Sequence, residues 1–207
     1  MDLKDFPLLS LAAEPQPAPA DKASWRAAAQ TVLRSRPEPL RKRHALLLAN
    51  EVAKLADSLS AQTVALYAPL GPEVETRDLA NALLVRGIRL VYPRVRTDNS
   101  AMDMAEAAGP AALVMRPRSR MMEPAGAVVA AQAIDLVVVP CLGLSGRGVR
   151  LGRGGGYYDR WLPGLRSDAV TVAAVAAGCV WDFGPIEAFD QRAVLACTEA
   201  GLFRTAD

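Results

Sequence analysis

"DLVVVPCLGLSGRGVRLGRGGGYYDR", residues 135–160, decides the fold. Leu136 to Val139 are apolar without interruption, which is how a strand buried on both faces reads, and such strands belong to parallel sheets. The stretch ends with Gly152, Gly154, Gly155 and Gly156 set between Arg150, Arg153 and Arg160, then Tyr157, Tyr158 and Asp159 open the helical run "YYDRWL". Glycine this dense is costly to order. Strand, glycine loop, helix is a layout that binds phosphate. Glycines let the backbone approach closely and take positive φ, so that successive N–H groups converge on an anion. The helix start adds further donors and the positive end of its dipole. Arg150 and Arg153 bring forked donors that match phosphate oxygens. A flexible surface linker would carry Ser, Pro and mixed charge in place of three consecutive glycines.

Outward from this stretch, strands and helices alternate. Residues 1–20 read as a flexible N-terminal tail, because Pro15, Pro17 and Pro19 deny it helix or sheet. Asp21 is an N-cap for "KASWRAAAQTVLRSR", which Pro37 and Pro39 end. "PLRKRHALLLANEVAKLADSL" carries apolar residues at helical spacing. "TVALYAPL" (63–70) reads as a strand, "GPEVE" as a turn, and Thr76 as the cap of a helix "RDLANALLVR" that Gly87 stops. Further strands are expected at 88–95, 101–107, 133–140, 171–178 and near 193–199, with "MRPRSRMMEPAG" (115–126) as a loop. The pattern predicts an α/β fold: an open, mostly parallel sheet flanked by helices on both faces, a three-layer αβα arrangement, as one domain over 21–207.

Composition narrows the function classes. The chain has 207 residues, 51% hydrophobic, enough for a full core without staples. A formal charge of +2 argues against nucleic-acid and anionic-membrane partners. Cys141, Cys179 and Cys197 are odd in number and widely spaced, which fits a reducing compartment. No apolar run spans a bilayer, and the N-terminal apolar patch is short for a signal peptide, so a cytoplasmic location is expected. His44 is the only histidine and reads as a surface residue beside Arg41, Lys42 and Arg43. Ser-His and Cys-His catalysis and His-rich metal sites are thereby nearly excluded.

Standard labels do not fit the glycine loop. No Lys-Ser or Lys-Thr follows, as a P-loop needs, and the third glycine of a dinucleotide fingerprint would fall at Tyr157. "GLSGR" has Arg147 where a nucleophile elbow needs Gly. Asp159 has two readings of equal weight, a favourable acid in a first helical turn and a Mg²⁺ carboxylate beside phosphates. Glu73 and Glu75 follow a strand end where α/β sheets bind ligands, but as residues alone they read first as a solvated acidic turn.

Four features in order resemble the 5-formyltetrahydrofolate cyclo-ligase family: Lys22 and Arg26 as a Lys-x-x-x-Arg helix start, "ALYAPLGPEVET", "IRLVYPRV", and "RLGRGGGYYDR" as the signature. The resemblance covers roughly residues 21–200, most of a single domain. It implies ATP- and Mg²⁺-dependent conversion of 5-formyltetrahydrofolate to 5,10-methenyltetrahydrofolate, with ADP and phosphate released. It implies that Lys22, Arg26 and the loop Arg150, Leu151, Gly152, Arg153, Gly154, Gly155, Gly156, Tyr157 and Tyr158 bind ATP. Ala68, Glu73 and the segment from Arg153 to Tyr157 would border the folate, polyglutamylated or not. Arg153 and Tyr157 would be catalytic, and Asp159 and Asp190 would hold Mg²⁺. A monomer or weak homodimer is expected, with no nucleic-acid or membrane partner. Two departures stand out: Gly155 where some members have Lys, and Val194 where the family often has a second Asp. They motivate a rival, a folate- or nucleotide-binding relative without turnover. A nucleic-acid-binding reading, from Arg147, Arg150, Arg153 and Arg160, is the weakest.

Overall fold

The apolar run Leu136–Pro140 is a strand in the middle of a sheet, and Leu136, Val137, Val138 and Val139 are all buried. The structure is a computed structural model and describes residues 3–13, 19–96, 98, 101–116, 121–183 and 186–206. In chain order its elements are α1 (Lys22–Ser35), α2 (Glu38–Ser58), β1 (Thr63–Ala65), α3 (Arg77–Val85), β2 (Arg89–Val95), β3 (Met102–Glu106), β4 (Val114–Met115), β5 (Met122–Glu123) and β6 (Val128–Val129). There follow β7 (Leu136–Pro140), β8 (Gly143–Leu144), β9 (Arg150–Leu151), α4 (Tyr157–Trp161), β10 (Val170–Ala174), β11 (Leu195–Thr198) and β12 (Gly201–Arg204).

Eight strands form the main sheet in the order β12-β11-β10-β7-β1-β2-β3-β6. The five from β11 to β2 run parallel, and β12, β3 and β6 add antiparallel edges. Side chains alternate between faces, as strand geometry requires. Val64, Leu66, Val138 and Val172 pack with Leu48 and Val52 of α2 and Leu79 and Leu83 of α3. Ala65, Val137, Val139 and Ala173 pack on the other face with Trp25, Ala29 and Leu33 of α1, and Tyr157, Tyr158 and Trp161 of α4 join them. This is the expected mostly parallel sheet with helices on both faces.

Local chemistry sets the helix ends. Asp21 Oδ1 accepts from Ser24 N at 2.7 Å and caps α1. Pro39 falls in the first turn of α2, where its missing N–H costs nothing. Thr76 precedes α3 but its side chain makes no cap bond; its hydroxyl donates to Tyr67 O at 2.8 Å. Gly87, at φ +73°, lets the chain turn out of α3.

The structure departs from expectation in several places. The run 63–70 is a strand only at Thr63–Ala65; Leu66 N still reaches Val91 O at 2.9 Å, and beyond it the chain leaves the sheet. The stretch read as a loop at 115–126 contains one strand of the β4–β5 hairpin, with residues 117–120 outside the described set. The short edge strands β6 and β12 carry too few residues to show a period. His44 is not on the surface. It is fully buried, Nδ1 lies 3.0 Å from Arg36 Nη2, and Nε2 donates to Cys197 O at 3.1 Å. Burial lowers its pKa to about 4, against the Cys197 carbonyl, which favours the charged form.

Part of the segment read as a tail lies along the body. Arg204 N donates to Pro7 O at 2.8 Å, Leu9 N to Arg204 O at 2.9 Å, and Ala12 N to Val180 O at 2.7 Å. Trp181 Nε1 donates to Ala13 O at 3.1 Å. Pro15 and Pro17 are outside the described residues. Cys141, Cys179 and Cys197 are buried free thiols, each pushed up to about 12 by burial. Among the described residues no helix is long and apolar enough to cross a membrane.

Candidate active site

β1 lies between β7 and β2, and the chain reaches β2 from β1 in one direction and the β7-β10-β11 strands in the other. The segments leaving the C-terminal ends of β1 and β7 therefore diverge, and open α/β sheets bind ligands in such a crevice. A cavity of about 290 Å³ sits here. Its wall includes Lys22, Arg26, Ala68, Glu73, the loop from Arg150 to Tyr158, Asp159 and Asp190, while Glu75 is exposed and lies outside it.

The glycine loop is presented by a hairpin that sequence reading missed. β8 and β9 pair antiparallel, and the turn between them closes through Ser145 N to Val149 O at 2.9 Å and Gly148 N to Ser145 O at 2.9 Å. The hairpin buries Arg150, only 6% exposed. Its Nη2 meets Asp159 Oδ1 at 2.6 Å, and its guanidinium carbon lies 5.4 Å from the Tyr158 ring centroid. Arg150 Nε and Tyr158 Oη are buried without a hydrogen-bond partner among the described residues. Buried donors left unpaired are costly, so they mark places where a ligand oxygen fits. Burial raises the Tyr158 pKa strongly, outweighing the nearby Arg150 charge, so its hydroxyl stays a neutral donor.

Within the loop, Gly154 (φ +101°) and Gly156 (φ +64°) hold conformations that side chains disfavour. Arg26 Nε donates to Gly152 O at 2.8 Å, and a Cβ on Gly154 would lie 3.5 Å from the Arg26 guanidinium carbon. Arg26 makes no ion pair among the described residues. It thus brings positive charge to the loop where Gly155 offers none. A Cβ on Gly155 would come to 3.0 Å from the Tyr157 ring. α4 has only five residues, so its dipole is short and the loop N–H groups are the principal backbone donors.

Opposite the loop, Glu73 is buried rather than a solvated turn acid. Its Oε2 accepts from Leu70 N at 2.8 Å, and its Oε1 meets Arg153 Nε at 2.6 Å; Arg153 Nη2 also donates to Leu70 O. Tyr67 holds this turn by donating to Val74 O at 2.8 Å. At the start of α1, Lys22 Nζ contacts Glu187 and lies 2.9 and 3.0 Å from the Asp190 oxygens. Burial disfavours its charge, but the hydrogen bonds to these carboxylates outweigh it and raise the pKa. Glu187 and Phe189, both in the cavity wall, were missed by sequence reading; the clue was "IEAFD", an acid three residues before Asp190.

Asp159 Oδ1 also accepts from Gln191 N at 3.4 Å, which ties the Asp190 segment to α4. No group of three His, Cys, Asp or Glu side chains fit to hold a metal occurs among the described residues. Two carboxylates suit Mg²⁺ that completes its shell with phosphates and water. A second groove of about 620 Å³ behind Glu73 is lined by four basic and four acidic side chains, so it lacks net attraction for an anion.

Comparison with known proteins follows the same map. The sequence model of the 5-formyltetrahydrofolate cyclo-ligase family matches residues 18–199. The chain belongs to that family. The matched span runs from before Lys22 to beyond Asp190 and so takes in the whole cavity wall. A cyclo-ligase of Mycolicibacterium smegmatis is 32% identical over 178 residues, covering 83% of this chain and 90% of that one. A mouse cyclo-ligase is 28% identical over 148 residues, covering 68% and 73%. The NMR structure of Aquifex aeolicus 5,10-methenyltetrahydrofolate synthetase superposes with a TM-score of 0.76 at 26% identity, covering 90% of this chain and 93% of that one. The Mycoplasma pneumoniae synthetase shares the fold, with a TM-score of 0.70 at 21% identity over 86% and 98%.

Proposed function

We propose that the chain cyclises 5-formyltetrahydrofolate to 5,10-methenyltetrahydrofolate, using ATP and Mg²⁺ and releasing ADP and phosphate. One observation carries this reading: in a chain of this family, the glycine loop with Arg150 and Arg153 meets Lys22 and Arg26 of α1 at the switch point of the sheet.

The chemistry explains the residues. A formyl group on nitrogen is amide-like, a poor electrophile whose oxygen leaves badly. Moving the γ-phosphoryl group onto that oxygen cures both faults. N10 then attacks the formyl carbon, the ring closes, and phosphate departs. Phosphoryl transfer depends on positioning and charge neutralisation, not on a protein nucleophile. That suits a cavity whose one thiol, Cys141, is buried with its pKa pushed up to about 12.

In this reading Lys22, Arg26, Arg150 and the loop N–H groups hold the phosphates. Asp159 and Asp190 hold Mg²⁺, which supplies charge neutralisation when bound. Arg153, fixed by Glu73, stands between phosphates and folate and stabilises charge on the transferring group. Tyr157 borders the formyl end, and Ala68 and Glu73 border the pterin. Folded protein given 5-formyltetrahydrofolate, ATP and Mg²⁺ should yield methenyl absorbance and ADP together. Binding of both ligands without either product would leave the non-catalytic relative as the reading.

A further inference from the structure

Four aromatic side chains line the cavity: Tyr67, Tyr157, Tyr158 and Phe189. Three are buried or half-buried. Tyr67 is 2% exposed and bonded to Val74 O. The Arg160 guanidinium carbon lies 5.2 Å from the Tyr157 ring centroid, and Arg150 stacks similarly on Tyr158. Phe189 also has a cation near its ring, Lys22, but it differs in exposure: it stands in the cavity wall and is 61% exposed.

A scattered surface phenylalanine needs no explanation. This one is held in place. Glu187 N donates to Asp190 Oδ2 at 2.7 Å, and Asp190 N to Glu187 O at 3.0 Å, which closes the turn around Phe189. Both carboxylates meet Lys22. Gln191 donates from Nε2 to Phe189 O at 3.1 Å and from its backbone N to Asp159 Oδ1. The turn is tied to α1 and to α4, so using the ring costs little ordering entropy on binding.

We infer that Phe189 is the stacking platform for the adenine ring of ATP, and so determines specificity for the nucleotide base. This rests on the ATP-dependent reading above. The neighbours choose the ligand. Lys22 Nζ lies 5.8 Å from the Phe189 ring centroid, and Lys22 and Asp190 are the groups assigned to phosphate and metal. Ala68 and Glu73, assigned to folate, come from the segment after β1. A base is joined to its phosphates through one ribose, so the open ring beside the phosphate cations is the one it reaches. A purine also offers the wider face for stacking on an aromatic ring.

The test compares wild type, Phe189→Ala and Phe189→Trp. Calorimetry measures ATP and UTP binding with Mg²⁺, and steady-state rates give separate KM values for ATP and folate. Loss of one base–aromatic stack weakens binding about tenfold. Phe189→Ala should therefore raise the ATP Kd and KM by about that factor and narrow the preference for ATP over UTP. The folate KM should stay within about twofold, and Trp should restore ATP binding. A purely structural role would raise both KM values and lower Tm. An unchanged ATP Kd overturns the inference while leaving the proposed reaction standing. A raised folate KM with normal ATP binding gives the ring to folate and also overturns it. Wild type that binds no ATP overturns both.

Discussion

Arg150 Nη2 stands 2.6 Å from Asp159 Oδ1, so a cation assigned to phosphate and a carboxylate assigned to Mg²⁺ are already partners in the free chain. The same holds for Lys22 with Asp190, and Arg153 is likewise paired with Glu73, a carboxylate assigned to the folate. The cations are thus held in place across the cavity without leaving a buried charge uncompensated.

Asp159→Asn separates the two readings of this residue. Asn keeps an oxygen for Arg150 and Gln191 N but removes the charge that compensates the buried Arg150 guanidinium, so Tm should fall. With Mg²⁺ bound there, the concentration for half-maximal rate rises about tenfold or more. Unchanged Mg²⁺ dependence in a titration would reduce Asp159 to a partner for Arg150 and a first-turn acid.

Arg153 and Glu73 should act on kinetics more than on stability. The Arg153 side chain is 40% exposed, so solvent screens its end of the pair, and the buried Glu73 keeps Leu70 N as a partner when Arg153 is lost. Arg153→Ala should lower kcat by about 10²-fold, the scale for losing one electrostatic contact to a developing charge. Glu73→Gln keeps the acceptor for Leu70 N and should raise the folate KM more than the ATP KM. Steady-state rates with each substrate varied, beside a melting curve, check both.

His44 makes stability depend on pH in a stated direction. Its folded pKa is about 4 against an ordinary 6.5, so between these values the unfolded chain takes up a proton that the folded chain refuses. Stability is complete above 6.5, falls as pH drops through the window, and levels off below about 4. Gln at this position can still donate to Cys197 O but does not titrate. The Tm difference between wild type and His44→Gln should therefore shift against wild type from pH 7.5 to pH 4.5. A parallel Tm profile for the two proteins contradicts this account.

Removal of residues 1–13 deletes the partners of Arg204 N, Val180 O and Trp181 Nε1. Each intramolecular hydrogen bond contributes about 1 kcal/mol net, and 1 kcal/mol shifts Tm by about 2–4 °C in a domain of this size. The truncated chain should melt roughly 5 °C or more lower. Its tryptophan emission should move to the red as Trp181, which packs 5.5 Å from Trp25, meets water. An unchanged melting curve would make these contacts incidental.

Much of this was legible from residues close together in sequence. Leu136 to Val139 announce a buried parallel strand because both faces are covered, and Asp21 announces a helix start through its own side chain. What stayed hidden depends on partners far apart. Glu73 looked solvated because its partner Arg153 lies 80 residues away. His44 looked exposed beside three basic residues, yet Ala45 and Leu48 put it on the buried face of α2, and Cys197 O is 153 residues off. Strands of two residues, such as β6, β8 and β9, carry no period and form through pairing alone.

The central claim is that cyclisation and ATP cleavage are one reaction at this cavity. The most direct measurement follows methenyl absorbance and ADP in the same sample of folded protein with 5-formyltetrahydrofolate, ATP and Mg²⁺. The account predicts that both rise together in equal amounts and that neither rises when one substrate is left out. Absence of both products, or ADP release that ignores the folate, would contradict it.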